Sequence, residues 1–533
     1  MLKILFTTLL LAAGSIASAQ EKGLRDTLVS DFKTFIHLLE TTHPDPYTNL
    51  GGKVFFHKKA AEIEQQLKEK DYTKKEFVEL TGAFIAPLED GHTYLQLPQE
   101  NSGTAKTKKR ILIGIKVIPN DLIINGIPDS LEQFIGSRVT TINHIPVDQL
   151  LKQVSKQIAC ENIYGQYLNL ANNFLRYIPN LGEKVTFGVV LPNGTKGEFS
   201  LPYLDMDTWT KELSKIASSQ SWEKVKGMNN ISYRFLDDEN KTMYFRLNSV
   251  MAREAFLFMY QNKWNGYEKQ IESYYKNMLK KPMPANIDSA IAGIPTMAEQ
   301  FGNMLEQMKK QKSKNLIIDL RYNGGGFTPI ILPTLYQLYG DQYLQTNMGT
   351  CYYTLISPLY LQKLNISLEE YNKMNHSSYE LGDYKFDNES GDNQSIEQIR
   401  ANFAEHSLGN ASQYISGLKG KPVYTPNNVF VITNEQTFSA AFHYAFYLWK
   451  MGATIVGIPS SQAPNTFMEQ TPFTLPLTKI AGSISNAAQY FLPSTDKRAK
   501  IFYPQYMPTY NHYKKYNFDR QTELLYLLDN YIK

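Results

Sequence analysis

Residues 429–456 read VFVITNEQTFSAAFHYAFYLWKMGATIV, and this stretch decides the fold. It opens on Val429 to Thr433 and closes on Ala453 to Val456, two short and nearly unbroken apolar runs. Such runs suit strands buried on both faces of a parallel sheet. Between them Phe438 to Met451 carries a helical pattern, and Gly452 is placed to end it. A strand-helix-strand unit makes the architecture α/β. Working outward, Leu316 to Leu320 (LIIDL) is another run of the same kind, and Thr242 to Leu247 reads as a further strand. A long helical stretch fills the interval to Lys314, broken around Pro282 and Pro284.

Farther upstream the pattern differs. Val29, Phe32, Phe35, Ile36 and Leu39 fall at helical spacing, and His43-Pro44-Asp45-Pro46 stops that helix. Helices are expected from about His57 to Lys70 and from about Lys74 to Leu88. Ile111 to Val117, Leu122 to Ile124 and Val139 to Ile142 read as short strands. The expected organisation is a signal segment at 1–19, a helical region at 20–104, a small separate module at 105–205 and a core at 230–533. Residues 365–415, rich in Asn, Ser, Asp and Glu, read as a polar surface insertion in that core. Its N-x-S triplets, such as the one at Asn388, matter only in a host that glycosylates.

A chain of 533 residues is too long for one compact core, and two to four domains are expected. Hydrophobic residues make up 42% and charged residues 20%, which excludes wholesale disorder. The net charge of +4 is close to balance, so no nucleic acid or other polyanion is implied as partner. The basic run Lys106 to Arg110 reads as a solvated loop. Lys3, the apolar stretch Ile4 to Leu11 and the small residues Ala17-Ser18-Ala19 form a secretory signal, with cleavage expected after Ala19. The protein is therefore expected to be exported, periplasmic or secreted, with no membrane span in the mature chain. Cys160 and Cys351 do not make a disulfide scaffold; a pair and two buried thiols both stay open. The scattered His residues and the absence of HExxH or a Cys cluster suggest neither metal nor cofactor.

Three segments can carry chemistry. In Asn434-Glu435-Gln436-Thr437-Phe438-Ser439-Ala440-Ala441 a strand ends and Ser439 arrives at the start of the next helix, with Thr437 as its N-cap. Unpaired N–H groups and the helix dipole there favour negative charge on a neighbouring oxygen. The bland reading is that Ser439 only helps cap the helix. Asn323-Gly324-Gly325-Gly326 follows the strand LIIDL and Arg321, and three glycines let backbone approach a ligand closely. No GK[ST] follows, which argues against a phosphate loop, while a plain tight turn stays open. In Asp90-Gly91-His92-Thr93 a His follows a tight turn, and its fixed backbone suits a general base, although most lone histidines are structural.

Together and in this order, DGHT, LIIDLRYNGGG and TFSAA resemble the tail-specific (C-terminal processing) proteases, the tricorn core and the interphotoreceptor retinoid-binding protein. GSRVTTINHIPV (136–147) looks like that family's PDZ-like segment, and HPDPY (43–47) is typical of some members. The resemblance covers about 80–533 and implies a crotonase-like (ClpP-like) α/β core beside a PDZ-like module. It also implies Ser439 as nucleophile, His92 as base, and the amides of Gly325 and Ala440, with Gly324 close behind, as oxyanion donors.

Two departures bear on the mechanism. Where the family often has Glu three residues after the nucleophile, Phe442 stands here, and Ala453 to Thr478 holds no Lys for a Ser/Lys dyad. A Ser/His arrangement is therefore expected, with Glu469, Asp496 or Asp90 as the orienting acid and His443 as rival base. The implied reaction is acyl transfer from a peptide or unfolded protein segment to Ser439, then hydrolysis. The alternative is a non-catalytic peptide- or lipid-binding protein on the same scaffold. Oligomeric state is not legible.

Overall fold

The computed structural model describes residues 23–97, 110–179, 182–219, 221–264, 266–388, 394–408 and 411–532. The signal segment, the basic run at 106–110 apart from Arg110, and part of the polar insertion lie outside them.

The architecture is mixed α/β. Thr454–Gly457, Asn428–Thr433, Asn315–Asp319 and Thr242–Arg246 lie side by side in parallel, and Ser232–Phe235 adds an antiparallel edge. Alternate residues of these strands enter two different cores. Met243, Phe245, Leu316, Ile318, Val431 and Ile455 pack on one face, under the helix Ala440–Lys450. Tyr244, Ile317, Phe430, Ile432 and Val456 pack on the other, under the helix Thr522–Tyr531. Two apolar faces are why the runs lack polar alternation.

The long helical stretch after Thr242–Arg246 is more broken than expected, ending in Ile287–Ala292 and Met297–Gln311. A second sheet pairs Ala481–Tyr490 with Asn465–Thr474 on one side, and with Tyr94–Leu95 and Cys351–Leu355 on the other. A third, seven-stranded sheet runs from Gly114–Ile118 to Lys196–Pro202 through antiparallel pairs, with Ile216–Ser218 paired on Asp121–Pro128. The helices Val147–Gln157 and Ile163–Asn173 share its core. The N-terminal helices Lys53–Glu69 and Lys74–Ile85 pack with Leu475 and Ile484 of the second sheet and its turn.

Arg321 joins these parts. It is buried directly after the strand Asn315–Asp319, with its guanidinium on Asp319 (Nε 3.0 Å, Nη2 2.6 Å) and on Glu523 (Nη1, 2.6 Å). Lys116 of the third sheet reaches the same Glu523 at 2.8 Å, and the Tyr513 hydroxyl donates to it. Burial pushes both carboxyls up, but the adjoining cations more than offset it and hold Asp319 and Glu523 down at about 2.

Candidate active site

Ser439 occupies the N-cap position of Ala440–Lys450 with φ 53° and ψ −127°, a conformation that L-residues rarely adopt. The helix therefore starts at Ala440, after the serine, and Ser439 makes no side-chain capping bond. Thr437 is not the cap. Its hydroxyl donates to the Leu320 carbonyl and accepts the Asn434 amide, which ties the turn to the end of the central strand. The Ser439 amide donates to Oε1 of Gln462, and the hydroxyl of Ser460 donates to the Thr437 carbonyl. The loop after Thr454–Gly457 thus straps the turn in place. Among the described residues the Ser439 hydroxyl has no protein hydrogen-bond partner.

The glycine loop lies against this turn. Asn323 Nδ2 donates to the Leu247 carbonyl, and the Phe438 amide donates to the Asn323 carbonyl at 3.0 Å. Gly325, at φ 99°, donates its own amide to Asn323 Oδ1 at 2.9 Å. Its N–H is thus occupied within the loop, whereas the amides of Gly324 and Ala440 have no protein acceptor among the described residues. A Cβ built on Gly324 would meet no atom beyond its chain neighbours within 4 Å.

His92 is buried in the turn Asp90–Thr93, and its ring stacks on Phe438, the residue before Ser439, with centroids 4.9 Å apart. Asp90 makes this turn: Oδ1 accepts the His92 amide at 2.8 Å, Oδ2 accepts the Thr93 hydroxyl, and His43 Nε2 lies 3.3 Å away. Burial pushes the Asp90 carboxyl up, but His43, with His92 and Thr93, holds it down at about 2. Burial lowers the His92 pKa, against the charges of Asp90 and Glu469 and a backbone hydrogen bond with Phe467.

The expected orienting acids do not take that role here. Asp90 is bonded to the His92 backbone rather than its ring. Asp496 is taken up by Arg498, at 3.0 Å to Nε and 2.7 Å to Nη2. Glu469 influences His92 by charge alone; its side chain is 53% exposed and faces Lys363 at 3.3 Å. His443 fails as a base for a different reason: both ring nitrogens are occupied. Gln489 Nε2 donates to the Pro464 carbonyl, so its Oε1 accepts from His443 Nε2 at 2.8 Å. His443 Nδ1 then accepts from Thr328, and burial drives the ring down to about 4.

Two residues outside the expected set help to build the site, Gln462 and Glu161. Glu161 is fully buried, with Oε2 accepting the Ala463 amide at 2.8 Å and Oε1 lying 3.8 Å from His92 Nδ1. Burial pushes its carboxyl up to about 8, against the Ala463 amide and the Thr466 side chain. A lone Glu between two helices of another sheet carries no local signal. Beside these groups a cavity of about 480 Å³ is bounded by Gly91, Glu161, Leu168, Gly324 and Phe438, among others. Cys160 and Cys351 are both free. Among the described residues no group of His, Cys, Asp and Glu is placed to hold a metal, and no helix is long and apolar enough to cross a membrane.

A strained serine at a helix start, a glycine loop against it and a buried histidine beside it are parts that a serine hydrolase site requires. Residues 288–479, which include the glycine loop and Ser439, match the sequence model of Peptidase family S41. The chain is a serine-type peptidase whose residues 288–479 carry that family's sequence pattern. Its fold is similar to that of mature CPAF, with TM-score 0.54 and 14% identity over 95% of this chain and 98% of that one. The same protein complexed with lactacystin gives TM-score 0.52 and 14% identity, covering 95% of this chain and 99% of that one. No curated protein matches the sequence.

Proposed function

We propose that the chain is an exported peptidase that cleaves peptide bonds through an acyl-enzyme on Ser439, with His92 as general base. The observation that carries this reading is the conformation of Ser439, at φ 53° with an unbonded hydroxyl beside the glycine loop. Backbone strain of this kind is sustained only where surrounding contacts impose it, and it holds the hydroxyl clear of the helix. His92 takes the serine proton as Oγ attacks the scissile carbonyl, then returns it to the leaving amine. The developing oxyanion is received by the amides of Ala440 and Gly324, with Gly325 shaping the loop against Ser439. The adjoining cavity admits a side chain of the bound peptide.

The four parallel strands and their covering helices support a crotonase-like core over 230–533, beside a helical region at 20–104. The seven-stranded sheet with its two helices supports a PDZ-like module at 105–205. Export, to periplasm or medium, rests on the signal pattern at 1–19. Labelling with a fluorophosphonate probe and a peptidase assay test the reading. The wild-type chain labels on Ser439 and hydrolyses peptides, and Ser439→Ala does neither; hydrolysis surviving in the variant removes Ser439 from the mechanism.

A further inference from the structure

The acid that faces the His92 ring comes from the segment between the helices Val147–Gln157 and Ile163–Asn173. Glu161 Oε1 lies 3.8 Å from His92 Nδ1, and both atoms are buried without a hydrogen-bond partner. Buried polar atoms are rarely left unpaired, and leaving two side by side is costly unless they serve each other. The gap is slightly too long for a hydrogen bond, as catalytic contacts often are before substrate binds.

The carboxylate is held on both sides. Its other oxygen accepts the Ala463 amide at 2.8 Å, next to Gln462, which holds the Ser439 amide. Asn162 caps the following helix by accepting the Tyr164 and Gly165 amides, and its Nδ2 donates to the Ser460 carbonyl at 3.1 Å. Gly91 keeps the way clear: a Cβ there would lie 3.1 Å from Glu161 Oε1 and 2.9 Å from the Phe438 ring.

We propose that Glu161 is the positioning carboxylate of the Ser439–His92 pair, so that the site is complete only when the 160–162 segment is docked on the 460–463 loop. This rests on the reading of Ser439 and His92 given above. As Oγ bonds to the carbonyl carbon, the carbonyl electron pair moves onto oxygen and the serine proton passes to His92 Nε2. The Nδ1 proton stays on the ring and donates to Glu161, which holds the ring's orientation and stabilises the imidazolium.

Glu161→Gln preserves the volume and an acceptor for Ala463. It lowers kcat by about a hundredfold or more, leaving KM within a few-fold and the thermal midpoint nearly unchanged. Burial keeps Glu161 protonated beside a neutral ring, and a proton on His92 favours its ionisation across the 3.8 Å gap, so the two titrate as a pair. In Glu161→Gln the imidazolium gains no such charge and the acid limb of kcat/KM moves to lower pH, while Asp90, Glu469 and His443 still face the ring. Glu161→Asp restores part of kcat. A fall in kcat that tracks a fall in midpoint, with the limb unmoved, assigns Glu161 a structural role only and overturns the proposal. So does a loss seen in Glu469→Gln and not in Glu161→Gln. The ¹⁵N shift of the His92 ring in the resting full chain is independent of turnover. Its titration midpoint falls in Glu161→Gln, and a midpoint that stays put overturns the pairing even where Ser439→Ala has shown the nucleophile to be misassigned.

Discussion

A Cβ built on Gly325 would stand 2.7 Å from the Ser439 Cβ, 2.7 Å from the Phe438 carbonyl oxygen and 2.9 Å from the Ala440 nitrogen. The glycine loop and the nucleophile turn touch through backbone, and only glycine permits it. Gly325 also sits at φ 99°, where a side chain is strained whatever the space. Gly325→Val is therefore expected to lower kcat by about a hundred- to a thousandfold, because pushing the loop away misplaces the oxyanion donors. Its thermal midpoint also falls. Gly324→Ala, with no atom within 4 Å of the added Cβ, keeps a near-normal midpoint. Steady-state kinetics and thermal melts of the two variants check this, and a Gly325→Val chain that folds and changes only in KM makes the loop a binding element.

Ser439 stores strain of the order of 1–3 kcal/mol in its backbone. Ser439→Ala removes a hydroxyl that makes no capping bond, so the midpoint is expected to move little while activity is lost. Ser439→Gly relaxes the φ 53° geometry and is expected to melt at or above Ser439→Ala. Calorimetry on the two inactive variants measures the difference, and a clearly less stable glycine variant would show that the conformation costs the fold nothing.

The parallel strands were legible because burial on both faces leaves an unmistakable apolar run, as in Leu316, Ile317 and Ile318. Ser439, the glycine loop and His92 were legible because turns and glycines are local, and the fold does bring these segments together. The supporting groups were not. Asp90 sits one residue from Gly91 in sequence, yet its carboxylate serves the turn's backbone and His43. Glu161 and Gln462 approach the site only through packing of distant segments, which no periodicity records. The cap at Thr437 was misplaced because its hydroxyl bonds across to Leu320 rather than along the helix.

His92 must be neutral to accept the serine proton, so kcat/KM rises with pH through its apparent pKa. Burial lowers that pKa, so the acid limb is expected below the ordinary value of about 6.5. A pH–rate profile measures it. His92→Ala is expected to cost about a thousandfold or more in kcat. His443, with both nitrogens hydrogen-bonded, adds no limb in the neutral range, and His443→Ala costs far less turnover. Near-normal turnover in His92→Ala overturns the assignment.

The last expectation concerns stability in acid. Asp319 and Glu523 are fully buried against Arg321 and Lys116, and both carboxyls are held at about 2. In the unfolded chain such groups titrate near 3.9 and 4.3, so between about pH 5 and pH 1 the unfolded state binds more protons than the folded one. Stability therefore rises with pH across that window: the contribution is fully present above the unfolded values and is lost as pH falls through about 2. Depressions of this size are worth on the order of 2–3 kcal/mol for each group, less where the two share Arg321. Removing one partner costs more than losing the pair, because it strands buried charge. Glu523→Ala leaves Lys116 and Arg321 without it and is expected to destabilise the chain by about 3–5 kcal/mol at neutral pH. It should also flatten the acid limb of the stability curve. Urea unfolding from pH 2 to pH 7 on both proteins measures the two effects, and a variant as stable and as acid-sensitive as the wild type would remove this network from the account of what joins the third sheet to the core.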